Sequence, residues 1–142
     1  MTPALSLSHD STPTGARKML WAGRIVSGLG VAFLLMDASM KVFNLIPAQS
    51  GTADLGWDPK MLTGLGVLQL VLLALYLIPR TSVLGAILWV GYLGGAVATH
   101  VRISNPLFSH TLFPVYVATF LWLGLWLRNE RVRAVLPFTP SK

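Results

Sequence analysis

The chain turns back on itself within the stretch GYLGGAVATHVRISNPLFSHTLFPVY, residues 91–116. The stretch begins as an apolar run rich in small residues, breaks at Asn105-Pro106, and continues as a second apolar run. Proline interrupts a helix interior and favours a turn, so the break predicts a hairpin between two helices. The hairpin gathers three side chains that can carry charge: His100, Arg102 and His110.

Composition indicates that these helices lie in a membrane. Of the 142 residues, 54% are hydrophobic and only 11% are charged, and the mean hydropathy is +0.64. Such a chain is too apolar for an ordinary soluble domain. The net charge of +6 would fit nucleic-acid binding in a soluble protein, but here the basic residues flank apolar runs. We therefore expect the lipid bilayer, and not nucleic acid, as the partner.

Four apolar runs have the length of transmembrane helices, and they lie near residues 19–43, 61–78, 82–101 and 111–127. About 20 residues in a helix span a hydrocarbon core of about 30 Å. The predicted fold is all-α, an integral membrane four-helix bundle formed by one domain over residues 19–137. Residues 1–18 are predicted to be a disordered cytoplasmic tail. Residues 45–60, which are interrupted by Pro and Gly, are predicted to form a loop.

The distribution of basic residues predicts the orientation of the bundle. With both termini in the cytoplasm, eight of the eleven basic residues obey the positive-inside rule. The eight are Arg17, Lys18, Arg24, Arg80, Arg128, Arg131, Arg133 and Lys142. This orientation places the hairpin and the end of the first helix in the outer half of the membrane.

Two charged residues and an amide occur on the first helix at separations of three, four and seven residues: Asp37, Lys41 and Asn44. These separations return to the same helix face, which we expect to point into the bundle because a charge facing lipid is costly. In a functional interpretation, the stripe binds the polar group of a lipophilic ligand or acts as a proton-transfer pair. In a structural interpretation, Asp37 and Lys41 form an ion pair that only fixes the orientation of the helix. Both interpretations remain open at this point.

Further polar side chains are expected in the same layer of the bundle. Gln69 lies near the middle of the second helix, where an amide makes an interhelical hydrogen bond or contacts a ligand. His100, Arg102 and His110 come from the hairpin, and two histidines with one Asp are too few to predict a metal site. On the third helix, Gly91, Gly95 and Thr99 recur every fourth residue, which predicts a ridge for the close approach of another helix.

The chain resembles the DoxX-like family of small four-helix bacterial membrane proteins over residues 20–137. The resemblance rests on LYLIPRTSVLGAILWVGYLGGAVATHVR and on NPLFSHTLFPVYVATFLWLGLWLRNERVRAVLP, in which GYLGGAVATHVR and HTLFPVY are the most specific parts. Asp37 and Lys41 also match the D-x-x-x-K pattern of the first helix in the family. The resemblance implies a bacterial inner-membrane location. It also makes a quinone-linked role plausible, because the wider group includes membrane subunits of thiosulfate:quinone oxidoreductases.

Three functions are compatible with these residues. The first is a redox-associated protein, such as a subunit of a quinone-linked oxidoreductase, that binds a quinone or similar lipophilic molecule. Its expected partner is a soluble redox protein or a second copy of the chain in a homodimer. The second is an acid–base enzyme of the isomerase or hydrolase type on a hydrophobic substrate, and the third is a non-catalytic membrane scaffold. Chemistry is assigned to three residues. Lys41 can polarise an oxygen of the ligand, His100 can exchange protons near neutral pH, and Asp37 can orient or recharge the base. Ligand contacts are assigned to Asn44, Gln69, Arg102 and His110.

Overall fold

A computed structural model describes residues 14–136 of the chain. Its helices are α1 (Thr14–Val42), α2 (Ile46–Asp54), α3 (Leu62–Leu77), α4 (Ser82–Arg102), α5 (Phe113–Arg128) and α6 (Glu130–Val135). A 3-10 turn, Pro59–Met61, leads into α3, and a π-helical turn, Leu107–Thr111, leads into α5. No strand occurs in residues 14–136.

Four segments are long and apolar enough to cross a membrane: Thr14–Val42, Pro59–Leu77, Ser82–Arg102 and Leu107–Arg128. Large hydrophobic side chains on these segments remain exposed on the outside of the bundle, as expected for contact with lipid. The prediction of an all-α membrane bundle is confirmed. The cytoplasmic position of both termini stays a prediction.

The four spanning helices form an antiparallel ring. Helix α1 packs against α3 and α5, and α4 packs against the same two helices. The order around the ring is therefore α1, α3, α4, α5, and α1 lies diagonally opposite α4. Ser27, in the middle of α1, contacts Tyr76 near the end of α3, whereas Val42, at the end of α1, lies against Gly66 near the start of α3. In the same way Gly23, in the first half of α1, lies against Arg128 at the end of α5, and Phe33, further along α1, contacts Phe113 at the start of α5. The order of these contacts shows that α1 runs antiparallel to α3 and α5.

Two boundaries differ from the sequence prediction. Helix α1 begins at Thr14, so residues 14–18 are helical, while residues 1–13 of the predicted tail lie outside the described residues. The predicted loop over residues 45–60 contains the helix α2. Its proline, Pro47, lies in the first turn, where a missing N–H costs no hydrogen bond. The loop prediction was wrong because proline breaks a helix only in its interior and is tolerated in the first turn.

The glycines at the close helix contacts are not those that the sequence pattern indicated. A Cβ atom added to Gly23 would lie 2.9 Å from the backbone N of Arg128, and one added to Gly124 would lie 2.7 Å from the backbone N of Ser27. Helices α1 and α5 therefore approach closely at this end. At Gly91 and Gly95 an added Cβ would meet no atom within 4 Å, so the predicted close approach of a helix there is wrong within this chain.

A buried tyrosine links three helices in the core. The hydroxyl of Tyr76 donates to the carbonyl of Leu121 at 2.7 Å and lies 3.1 Å from the Ser27 hydroxyl. Because the tyrosine proton is used on Leu121, Ser27 donates to Tyr76. Each partner belongs to a different helix, so one side chain fixes the rotation of α1, α3 and α5.

We expect Tyr76→Phe to lower the free energy of unfolding by about 1 kcal/mol, because interhelical hydrogen bonds in membranes contribute modestly. The measurement is unfolding in mixed micelles of increasing SDS content, followed by circular dichroism. Tyr116→Phe is the matched control, because Tyr116 is exposed. Equal midpoints for the two variants would contradict a stabilising role for the Tyr76 hydroxyl.

Candidate functional site

A cavity of about 460 Å³ lies inside the end of the bundle where α1 faces α4. Helix α4 presents Gly91 and Gly95 to this space, and neither glycine has an atom within 4 Å of where its Cβ would be. The cavity therefore exists because one wall lacks side chains. Its lining residues are Phe33, Leu34, Asp37, Lys41, Thr52, Leu55, Trp57, Leu65, Gln69, Gly91, Tyr92, Leu93, Gly95, Ala96, Thr99, His100, Phe113, Pro114 and Val117.

One wall of the cavity carries a polar cluster that consists of Asp37, Lys41 and Gln69. The i, i+4 spacing places the Lys41 ammonium on the carboxylate of Asp37, to which it donates. Gln69 donates from Nε2 to the same carboxylate oxygen at 2.7 Å. Helices α1 and α3 approach closely at Gly66, where an added Cβ would lie 2.8 Å from the Val42 backbone N. This approach brings the Gln69 amide within hydrogen-bond distance of Asp37.

The other half of the Gln69 amide, its oxygen, has no partner within residues 14–136. Gln69 is only 2% exposed, and its Oε1 atom is buried without a hydrogen bond among the described residues. An acceptor left unpaired in a low-dielectric interior costs free energy, so it favours the binding of a donor from water or from a ligand. The polar cluster thus offers both donors at Lys41 and an acceptor at Gln69.

His100 lies at the same end of the cavity and is oriented by the hairpin. The side-chain amide of Asn105 donates to His100 Nδ1 at 2.8 Å, which assigns the ring proton of the neutral imidazole to Nε2. The backbone N–H of Asn105 also donates to the His100 carbonyl at 3.0 Å. The break at Asn105-Pro106 therefore does more than reverse the chain, because it fixes the histidine that lines the cavity.

His110 lies next to His100 but does not line the cavity. The two rings are 6.0 Å apart between centroids, edge to face. His110 is exposed, and its Nδ1 lies 2.8 Å from the Ser109 hydroxyl. The structure therefore brings the two histidines together as a pair that leads from the cavity to the outside of the bundle.

Arg102 acts on the segment that covers the cavity. Its Nη2 donates to the carbonyl of Leu55 at 2.7 Å, and it packs on Gly56, which has a φ of +75°. Leu55 and Trp57 line the cavity from this segment. The guanidinium thus holds the covering segment in place and does not itself enter the cavity.

Asn44 does not continue the face of Asp37 and Lys41. Helix α1 ends at Val42, and Asn44 has a φ of 56°, in the left-handed region. Its side chain is exposed, and its backbone carbonyl accepts from Gln49 at 2.6 Å. The predicted stripe of three residues therefore ends at Lys41, because the spacing argument holds only while the helix continues.

Sequence reasoning missed several lining residues. Tyr92 lies eight residues before His100, so helical spacing alone could have placed both on one face. Its ring is held edge to face by Trp89, with 5.5 Å between centroids. Thr52 and Trp57 come from α2 and the segment after it, and no periodicity connects them to the bundle interior.

The fold and the cavity define a class: a small multi-pass membrane protein whose four-helix bundle carries a partly open, largely apolar cavity with a polar cluster at one end. The model of the DoxX-like family matches residues 25–124. The chain therefore belongs to the DoxX-like family, as its sequence resemblance indicated. No curated protein and no solved structure matches the chain.

Proposed function

We propose that this protein binds a quinone, or a similar lipophilic molecule with an oxygen-bearing ring, in the cavity between α1 and α4. One observation carries the proposal: an apolar cavity in a membrane bundle ends at Asp37, Lys41 and Gln69, where a buried amide oxygen has no partner among residues 14–136. The ring oxygen lies at this polar cluster, and the hydrocarbon part lies along the apolar walls.

The dimensions of the cavity support a small-molecule ligand. Its volume of about 460 Å³ lies in the range of about 300–1,000 Å³ that is usual for such sites. Aromatic rings of Phe33, Tyr92 and Phe113 line it, and flat rings stack or pack edge to face against such side chains. A ligand that partitions into lipid would reach the bundle by diffusion in the membrane.

The polar cluster complements both redox states of a quinone. The Lys41 ammonium has three N–H donors, of which Asp37 takes one, so two remain for a quinone carbonyl. A quinol hydroxyl can instead donate to Gln69 Oε1 once the amide turns this buried oxygen toward the ligand. A ligand without any hydrogen-bonding group would leave the amide oxygen unpaired.

The remaining predicted residues, except Asn44, receive roles in the same proposal. His100 exchanges protons with the bound ligand, and His110 connects it to the outside. Asp37 holds and balances the charge of Lys41, and Arg102 keeps the cavity covered. Asn44 lies beyond the end of α1 and does not line the cavity, so it receives no role in ligand binding.

The chain contains no cysteine, so a redox role requires electrons from a bound cofactor or from another protein. We propose that electrons pass between the bound quinone and a soluble redox partner or another subunit in a bacterial inner membrane. The proposed orientation, with the cavity in the outer leaflet, is supported by Arg17, Arg24, Arg80, Arg128 and Arg131, which belong to the opposite end of the bundle.

A second candidate is supported by the same cavity. Asp37, Lys41 and His100 all line it, so an acid and a base are available for isomerisation or hydrolysis of a hydrophobic substrate. This function needs no redox partner. The identity of the retained molecule separates it from quinone binding.

The test is to purify the protein in mild detergent, extract it with organic solvent and quantify lipophilic compounds by mass spectrometry, before and after equilibration with a short-chain quinone. We expect a quinone near one per protein. Lys41→Met should weaken binding about tenfold to a hundredfold, because a charge-assisted hydrogen bond is lost.

Lys60→Met is the matched control, since Lys60 is exposed and lies outside the cavity. Equal loss from both lysine variants would contradict the proposed site. A stoichiometric molecule of another class would favour the acid–base enzyme. Bulk lipid alone, with no uptake of added quinone, would favour the non-catalytic scaffold.

A further inference from the structure

A second concavity, of about 530 Å³, lies at the opposite end of the bundle and is lined by three arginines. We propose that this concavity, formed by Arg24, Arg128 and Arg131 with Ser82 and Asn129, binds the phosphate headgroup of an anionic phospholipid. The site is separate from the cavity between α1 and α4, so the two proposals succeed or fail independently.

The three arginines form no ion pair with a carboxylate in the part of the chain that the structure describes. Within residues 14–136, the ion pairs are Lys41 with Asp37 and Arg133 with Glu130, the latter at 3.4 Å. Three arginines therefore line one concavity against a single carboxylate, that of Glu130, which pairs with Arg133. This excess of positive charge among the described residues favours a bound anion.

Arg128 carries the strongest need for a counter-charge. Its guanidinium carbon lies 5.0 Å from the centre of the Tyr76 ring, so the group is held over an aromatic face at the end of α5. Its Nε and Nη2 atoms are buried and make no hydrogen bond in the described part of the chain. A buried charge without a partner is costly, and an anion in the adjoining concavity would compensate it.

The position of the concavity fits a lipid headgroup. Leu20 and Leu125 form apolar parts of its lining, next to the exposed arginines Arg24 and Arg131. Arg24 also lies over the ring of Trp21, 5.4 Å from its centre, and tryptophan is enriched where membrane meets water. Basic residues beside apolar surface match a phosphate attached to acyl chains better than a free anion.

The experiment measures binding of phosphatidylglycerol, phosphatidylcholine and inorganic phosphate to the purified protein at constant ionic strength, by native mass spectrometry and by the shift in unfolding temperature. We expect wild type to retain about one phosphatidylglycerol through several charge-assisted contacts. The double variant Arg24→Gln/Arg131→Gln should bind it about tenfold more weakly. Both residues are exposed, so the variant should fold.

The matched control is Arg17→Gln/Arg80→Gln, which removes the same charge from exposed residues that do not line the concavity. It should bind phosphatidylglycerol as wild type does. An equal loss in the control would show attraction to surface charge alone and overturn the site. Equal retention of phosphatidylcholine, or equal protection by inorganic phosphate, would overturn the assignment to an anionic lipid.

Discussion

Replacing Gly95 with leucine is expected to abolish retention of the lipophilic ligand while the bundle stays folded. Gly95 lines the cavity, and an added Cβ would meet no atom within 4 Å. A leucine side chain can therefore enter the space without displacing the protein, but it occupies volume that the ligand needs. Removing a glycine from a helix interior also favours the helix by about 0.5–1 kcal/mol, so the unfolding midpoint should not fall.

Gly94→Leu is the matched control for this substitution. Gly94 is the preceding residue on α4, it too has no atom within 4 Å of an added Cβ, and it does not line the cavity. Quinone uptake should be normal in Gly94→Leu and at least about tenfold weaker in Gly95→Leu. Equal uptake by the two variants would show that the ligand does not occupy the cavity. Unlike Lys41→Met, this pair leaves every polar group in place.

The four spanning helices could be predicted because a run of about 20 hydrophobic residues is visible in the sequence without knowing which helices pack together. Helix α2 could not, since nine residues with proline and glycine carry little helical signal. Its place over the cavity depends on Arg102, which lies 47 residues away from the carbonyl that it contacts. A contact between such distant residues leaves no periodic pattern.

The candidate site was only partly predictable for a related reason. The pairing of Asp37 with Lys41 follows from spacing within one helix. The contact of Gln69 with Asp37 depends on the rotation of α3 against α1, which Gly66 determines through close packing. In the same way, sequence alone shows where glycines occur, but only the packing shows whether a glycine admits a helix or leaves a cavity.

The position of the cavity follows from how α1 and α5 pack along their length. At one end Gly23 and Gly124 allow the two backbones to approach. At the other end two large rings, Phe33 and Phe113, lie between the helices with their centroids 5.4 Å apart. Small residues at one end and aromatic residues at the other favour a bundle that is closed near the arginines and wider at the cavity.

If Gly23 closes the bundle, then Gly23→Leu should lower the free energy of unfolding by about 2–3 kcal/mol, near the upper end of the usual cost of overpacking. Its added Cβ would lie 2.9 Å from the backbone N of Arg128 and 3.0 Å from the carbonyl oxygen of Gly124. Both are backbone atoms of α5, so relief requires that a whole helix moves. Unfolding in SDS mixed micelles, followed by circular dichroism, measures the loss.

Gly28→Leu provides the comparison on the same helix, because Gly28 has no atom within 4 Å of an added Cβ and is exposed on the outside of the bundle. The same substitution there should leave the midpoint unchanged or raise it, since leucine favours the helix over glycine by about 1 kcal/mol. A lower midpoint for both variants would point to a general effect of leucine on α1. A lower midpoint for Gly23→Leu alone would establish that helix approach at this glycine stabilises the fold.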